Sequence, residues 1–171
     1  MRHILKCHDI VKTDFVRGEN CYLYDRSGRQ YVDFESGIWS AVLGHGHPRV
    51  VGAMEAQIKR VMHLGTRYPS DLAEEVAVDI LALTGLDGGK CALLSSGSEA
   101  VEFGAQAIRR VTKRQTLLAF SNSYLAAYGS AGEKDSSGWQ LLDPTIPETD
   151  SRAVLEQVPF EKIGGFVFEP G

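Results

Sequence analysis

The stretch CALLSSGSEAVEFGAQAIRRVTKRQTLLAF, Cys91–Phe120, decides the fold. Cys91–Leu94 is a short apolar run, and Ser95–Ser98 is small and polar. From Glu99 to Thr112, the residues Val101, Ala105 and Ile108 recur at helical spacing. Thr116–Phe120 is a second apolar run. Strand, tight turn, helix, strand is a βαβ unit, which implies parallel strands with the crossover helix packed on them. The expected class is α/β.

Working outward, a further buried strand is expected at Gly165–Phe168 and a helix near Ser151–Val158, with Asp135–Asp150 as a polar, proline-bearing loop. On the other side, a helix following Ser70 carries Leu72, Val76, Ile80 and Leu83 on one face, with Gly85 as its stop. Pro48 opens an earlier helix, where its missing N–H would have no partner anyway. Val50, Val51, Met54, Ile58, Val61 and Met62 form that helix's stripe. Cys21–Tyr24 and Gln30–Phe34 flank Asp25-Arg26-Ser27-Gly28 and read as a β-hairpin. Glu35–Pro48, rich in glycine and histidine and without periodicity, reads as a loop.

The whole chain has 171 residues, a formal net charge of -4 and 43% hydrophobic residues. A length near ~150 residues buries roughly 68–70% of the unfolded surface, enough for a real core. The mild acidity speaks against nucleic acid as a partner, which calls for a basic stripe. No apolar run approaches the ~18 residues of a membrane span. The first fifteen residues break their apolar content with charges too often for a signal peptide. Cys7, Cys21 and Cys91 make no metal spacing and leave one unpaired, so a reducing, cytoplasmic setting is the simplest reading.

Chemistry concentrates at Ser95-Ser96-Gly97-Ser98-Glu99-Ala100. Unpaired N–H groups and the positive dipole end make a helix start a phosphate site. Gly97 lets the backbone approach an anion, and Ser96 and Ser98 add hydroxyl donors. A plainer reading gives Ser96 or Ser98 the role of helix cap and Glu99 or Glu102 that of dipole partner. The run lacks the Gly-Lys-Ser/Thr ending of a Walker loop and the extra glycines of a dinucleotide fingerprint. Gly44-His45-Gly46-His47-Pro48 has two histidines but no further ligands at a suitable spacing, so no metal is expected. Gly129-Ser130-Ala131-Gly132 misses the residue that a hydrolase elbow needs between its first glycine and the serine. Tyr124 follows a predicted parallel strand, where ligands of open sheets gather, and can stack on a planar group or simply pack.

Taken in order, Tyr24–Phe34, Gly44–Pro48, Ser96–Glu102 and the later aromatic resemble the N-terminal part of a class III aminotransferase, a pyridoxal-phosphate (PLP) enzyme of fold type I. The resemblance runs from about Cys21 to the end of the chain. It implies an incomplete large domain, a mostly parallel sheet flanked by helices, preceded by the hairpin segment. The implied division is 1–47, the N-terminal segment with its pocket loop, and 48–171, the partial PLP-binding domain. It also implies that Gly97, Ser98 and the adjacent Ser96 hold the PLP phosphate, that Tyr124 stacks on the pyridine ring, and that Glu169-Pro170 lies near the cofactor. Trp39 would shape the substrate pocket.

Two departures go with the resemblance. Leu125-Ala126 stand where family members commonly have His-Gly. The family's Schiff-base lysine lies further along than Gly171, and Lys6, Lys12, Lys59, Lys90, Lys113, Lys134 and Lys162 sit in no matching context. No catalytic residue is therefore expected in these 171 residues, and the chain alone should be inactive. The complete enzyme would move an amino group between an amino acid or ω-amine and a 2-oxo acid, as a homodimer. The alternative is a non-catalytic α/β module, or relic, that binds a phosphorylated ligand.

Overall fold

The computed structural model describes residues 3, 5, 9–65, 67–134 and 138–169. It divides into two compact units, residues 1–70 and 71–171.

In the first unit, β1 (Phe15–Glu19), β2 (Tyr22–Asp25) and β3 (Gln30–Val32) form an antiparallel sheet in that order. The expected hairpin is β2–β3, with Tyr22 opposite Val32 and Tyr24 opposite Gln30. Its turn is fastened by Asp25, whose Oδ1 accepts from Ser27 N at 2.9 Å, Ser27 Oγ at 2.6 Å and Arg29 N at 3.0 Å. Gly28 supplies the positive φ of +86° that closes the turn. The sequence reading missed β1. It is secured by side chains from the hairpin: Arg17 lies 3.6 Å from the Tyr24 ring centroid, and Phe15 meets Tyr31 edge-on at 5.3 Å. Glu35–Pro48 is irregular as expected. It holds a four-residue left-handed turn, labelled α1 (Ser36–Trp39), and its last residue, Pro48, starts α2 (Pro48–Arg60) as expected.

The second unit begins with α3 (Asp71–Thr84), followed by Gly85 at φ +68°. Then come α4 (Gly97–Thr112), β4 (Thr116–Phe120), β5 (Trp139–Leu142), α5 (Glu148–Glu156) and β6 (Ile163–Phe166). The sheet is parallel throughout, in the order β5-β4-β6. Strand β4 is central, and its side chains alternate between two cores. Leu117 and Ala119 join Ala105, Leu125, Ala126, Ala131 and Trp139, with Val101 and Ile108 packed against them. Leu118 joins Val158 and Ile163. The crossover helix comes close to β6 because that strand carries glycines. A Cβ on Gly165 would sit 3.1 Å from Ile108, and one on Gly164 would sit 2.9 Å from Thr112.

Three expectations need correction. Cys91–Leu94 forms no strand; Leu93 and Leu94 are about half exposed, and an apolar run becomes a strand only where a neighbour takes its N–H and C=O groups. The loop drawn over Asp135–Asp150 contains β5, whose Trp139 enters the core under Arg109. The last strand runs Ile163–Phe166 and not Gly165–Phe168, since Ile163 is the buried residue that pairs with Thr116. Among the described residues, no helix is long and apolar enough to cross a membrane.

Candidate functional site

The start of α4 resembles a capping box, with the returning carboxylate bond shifted one residue before the cap. Ser96 has extended backbone angles, and its Oγ accepts from Glu99 N at 3.2 Å. Glu99 Oε2 reaches back to Ser95 N at 3.1 Å and to Ser96 Oγ at 3.2 Å. Ser96 and Glu99 thus do what the plainer reading of the motif expects. Ser98 does not. Its Oγ accepts from Ala127 N at 2.9 Å, so one lone pair is taken and the hydroxyl proton stays available for an acceptor. Beside it, apart from its chain neighbours and the backbone of its own helix, no atom lies within 4 Å of the point a Gly97 Cβ would occupy. An open glycine, a hydroxyl with its proton to give, and the helix dipole suit an anion.

The loop after β4 supplies the rest. Tyr124 N donates to Glu169 Oε2 at 3.1 Å, which ties the loop to the segment after β6. Tyr124 is 66% exposed, so it does not fill the core. Tyr128 OH lies 3.5 Å from Ser96 Oγ. Lys134 Nζ donates to the Ser123 carbonyl. Behind the loop, Glu102 accepts from Ser130 Oγ at 3.1 Å and Ala131 N at 3.4 Å, while Arg109 Nη1 donates to the same Ser130 Oγ at 3.2 Å.

Ser98 and Ser96 thus meet the loop after β4 at Ala127 and Tyr128, with Gly97 between the two serines. Tyr124 and Glu169 tie the same loop to the segment after β6, at the carboxyl ends of parallel strands. Pro170 lies outside the described residues. Sequence reasoning missed Ala127, Tyr128, Ser130 and Arg109. Only Glu102 and Arg109 left a signal, a spacing of seven that returns to the same helix face after two turns. The contribution of Ala127 is a backbone N–H, which no side-chain pattern advertises.

Trp39 belongs to the first unit and is 78% exposed. It sits in an unusual turn: φ is +51° at Ser36, +60° at Gly37, +56° at Ile38 and +61° at Trp39. Left-handed geometry costs about 1–2 kcal/mol for each non-glycine residue. Asp33 borders the turn, its side chain only 8% exposed, and His45 Nε2 lies 2.8 Å from its Oδ2. That bond and the Ser36 N–H hold the Asp33 carboxyl below the usual carboxylate range.

The family model for class-III aminotransferases matches residues 6–131. The chain belongs to this family. It is 30% identical over 154 residues to the acetylornithine aminotransferase of Aquifex aeolicus, covering 86% of this chain and 41% of that one. It is 39% identical over 113 residues to the 4-aminobutyrate aminotransferase of Escherichia coli, covering 63% and 26%. Among solved structures, the taurine:2-oxoglutarate aminotransferase of Bifidobacterium kashiwanohense superposes with a TM-score of 0.84 at 15% identity, over 98% of this chain and 45% of that one. That is a likeness of fold. This class-III chain spans between 28% and 41% of the length of the first three curated relatives it matches. Leu125 and Ala126 are both buried in the core behind the loop.

Proposed function

We propose that this class-III chain belongs to a PLP-dependent transaminase, moving an amino group between an amino acid or amine and a 2-oxo acid, and that its own residues supply the phosphate end of the cofactor site. The observation that carries the reading is the pairing of Ser98 with Ala127, which leaves the serine proton free beside the open face of Gly97. In this reading Gly97 N–H and the Ser98 hydroxyl bind the phosphate. Ser96 shapes the helix start and not the anion contact, since its hydroxyl is spent on Glu99. Tyr124 offers its ring to the pyridine, and Glu169 fixes the Tyr124 backbone. Trp39 walls the substrate pocket. When bound, PLP supplies the electron sink for amino-group transfer, while the protein binds and orients.

The proposed division remains 1–47 for the hairpin and pocket loop and 48–171 for the cofactor-binding part. The complete protein is a cytoplasmic homodimer, and the 171 residues by themselves are inactive. The runner-up, a non-catalytic phosphate-ligand module, has one observation in its favour. Lys134, the lysine tied to this loop, has its ammonium engaged by the Ser123 carbonyl. Borohydride reduction of the PLP-loaded chain, read by mass spectrometry, tests the reading. Reversible binding without a single stoichiometric adduct is expected. A stoichiometric adduct on Lys134 would show that these residues carry their own covalent site.

A further inference from the structure

The turn Ser36–Trp39 is the most strained described segment of the first unit. It has four successive residues at positive φ, among them the β-branched Ile38, and no residue of the turn is buried. Burial therefore does not hold it. Polar contacts do. Asp33 Oδ1 accepts from Glu35 N at 3.0 Å and Ser36 N at 2.9 Å, so one oxygen fixes the two N–H groups at the mouth of the turn. Trp39 N donates to Glu35 O at 2.9 Å, and Ser40 Oγ donates to Gly37 O at 2.7 Å.

The other oxygen of Asp33 faces His45 Nε2 at 2.8 Å. His45 is itself anchored twice. Its backbone pairs with Asn20 in both directions, at 2.8 and 2.9 Å, and its ring lies so close to Gly18 that a Cβ there would come within 2.7 Å of it. Gly18 belongs to β1 and Asn20 follows β1 directly. The Asp33 carboxylate is thus aimed from the sheet side by His45 and spends its free oxygen on the turn.

We propose that Asp33 and His45 are positioning residues: a clasp that locks Ser36–Trp39 in the left-handed conformation and so fixes the direction in which Trp39 is presented to substrate. The substrate part rests on the pocket reading of Trp39 given above. The clasp explains why a glycine sits within the turn but three costlier residues surround it: the geometry is imposed from outside by Asp33, twelve residues from its His45 partner.

The chain has two tryptophans, so Trp139→Phe leaves Trp39 as the reporter in the full chain. Time-resolved fluorescence anisotropy then reads its local motion. The clasp predicts that Trp39 follows overall tumbling in this parent, although its ring is exposed. Asp33→Ala and His45→Phe, the latter keeping a ring against Gly18, each raise the fast-motion amplitude by about twofold, into the range of ordinary exposed side chains. Asp33→Asn rescues, because its amide oxygen still serves Glu35 and Ser36 while its NH2 can donate to the His45 ring nitrogen. Parent-like decays in Asp33→Ala and His45→Phe overturn the proposal, as does an Asp33→Asn chain as loose as Asp33→Ala. Far-UV circular dichroism accompanies each variant. If Asp33→Ala does not fold, His45→Phe decides by the same readout. If neither folds, the pair supports the whole unit and not the turn, and the proposal falls. The pocket reading is scored apart, by saturable quenching of Trp39 with benzylamine in the presence of PLP. Absence of quenching sinks that reading and leaves the clasp result standing.

Discussion

At the start of α4, Ser96 and Glu99 satisfy each other within one helical turn, and farther along Ala105 is buried in the same core as Leu117. At α1, three non-glycine residues have positive φ, nothing is buried, and the fastening comes from Asp33 and His45 outside the turn. The first piece is relaxed and held by packing. The second is strained and held by hydrogen bonds. Such a difference suits their proposed roles, since a phosphate needs a rigid row of donors, whereas an aromatic wall needs a particular direction.

The contrast can be broken by substitution. Leu117 is fully buried beneath α4, so Leu117→Ala should cost about 2–5 kcal/mol in urea unfolding, the range for deleting a core leucine. A cost below ~1 kcal/mol would mean that α4 does not depend on this core. The next effects are smaller and opposite in sign. Ser96→Ala removes the cap and should cost about 1 kcal/mol. Ile38→Gly relieves a left-handed β-branched residue and should stabilise by up to about 1 kcal/mol, after the entropy of the new glycine is set against the relief. Loss of stability in both variants would show that the turn is not strained as its φ values imply.

The same contrast explains what could be read in advance. Periodicity located α2, α3 and α4 because their stripes are local, although Val61 and Met62 lie beyond the end of α2 at Arg60, where the chain turns extended. Pro48 and Gly85 mark boundaries by their own backbone chemistry. The hairpin was legible because Asp25 and Gly28 write the turn into four residues. Strand β1 was not, since Phe15–Glu19 is defined by its pairing with β2 and by Arg17 lying on Tyr24. Cys91–Leu94 misled for the converse reason: apolar composition was present and a bonded neighbour was not. Strand β5 was hidden by its polar surroundings, although Trp139 is a core residue. At the candidate site, Ser98 and Tyr124 were legible as residue types beside a helix start and a strand end. The Ala127 N–H that orients Ser98, and the Asp33–His45 pair behind Trp39, depend on contacts across 29 and 12 residues and leave no local pattern.

The most direct measurement compares PLP with pyridoxal, which lacks the phosphate, on the parent chain and on Ser98→Ala. If the phosphate sits at the start of α4, the parent binds PLP more tightly than pyridoxal. Ser98→Ala should then weaken PLP by roughly 1.5–3 kcal/mol, the worth of one hydrogen bond to a charged group, while leaving pyridoxal affinity as it was. Equal loss for both ligands, or no loss for either, would contradict the assignment and return Ser98 to a loop tether at a helix start.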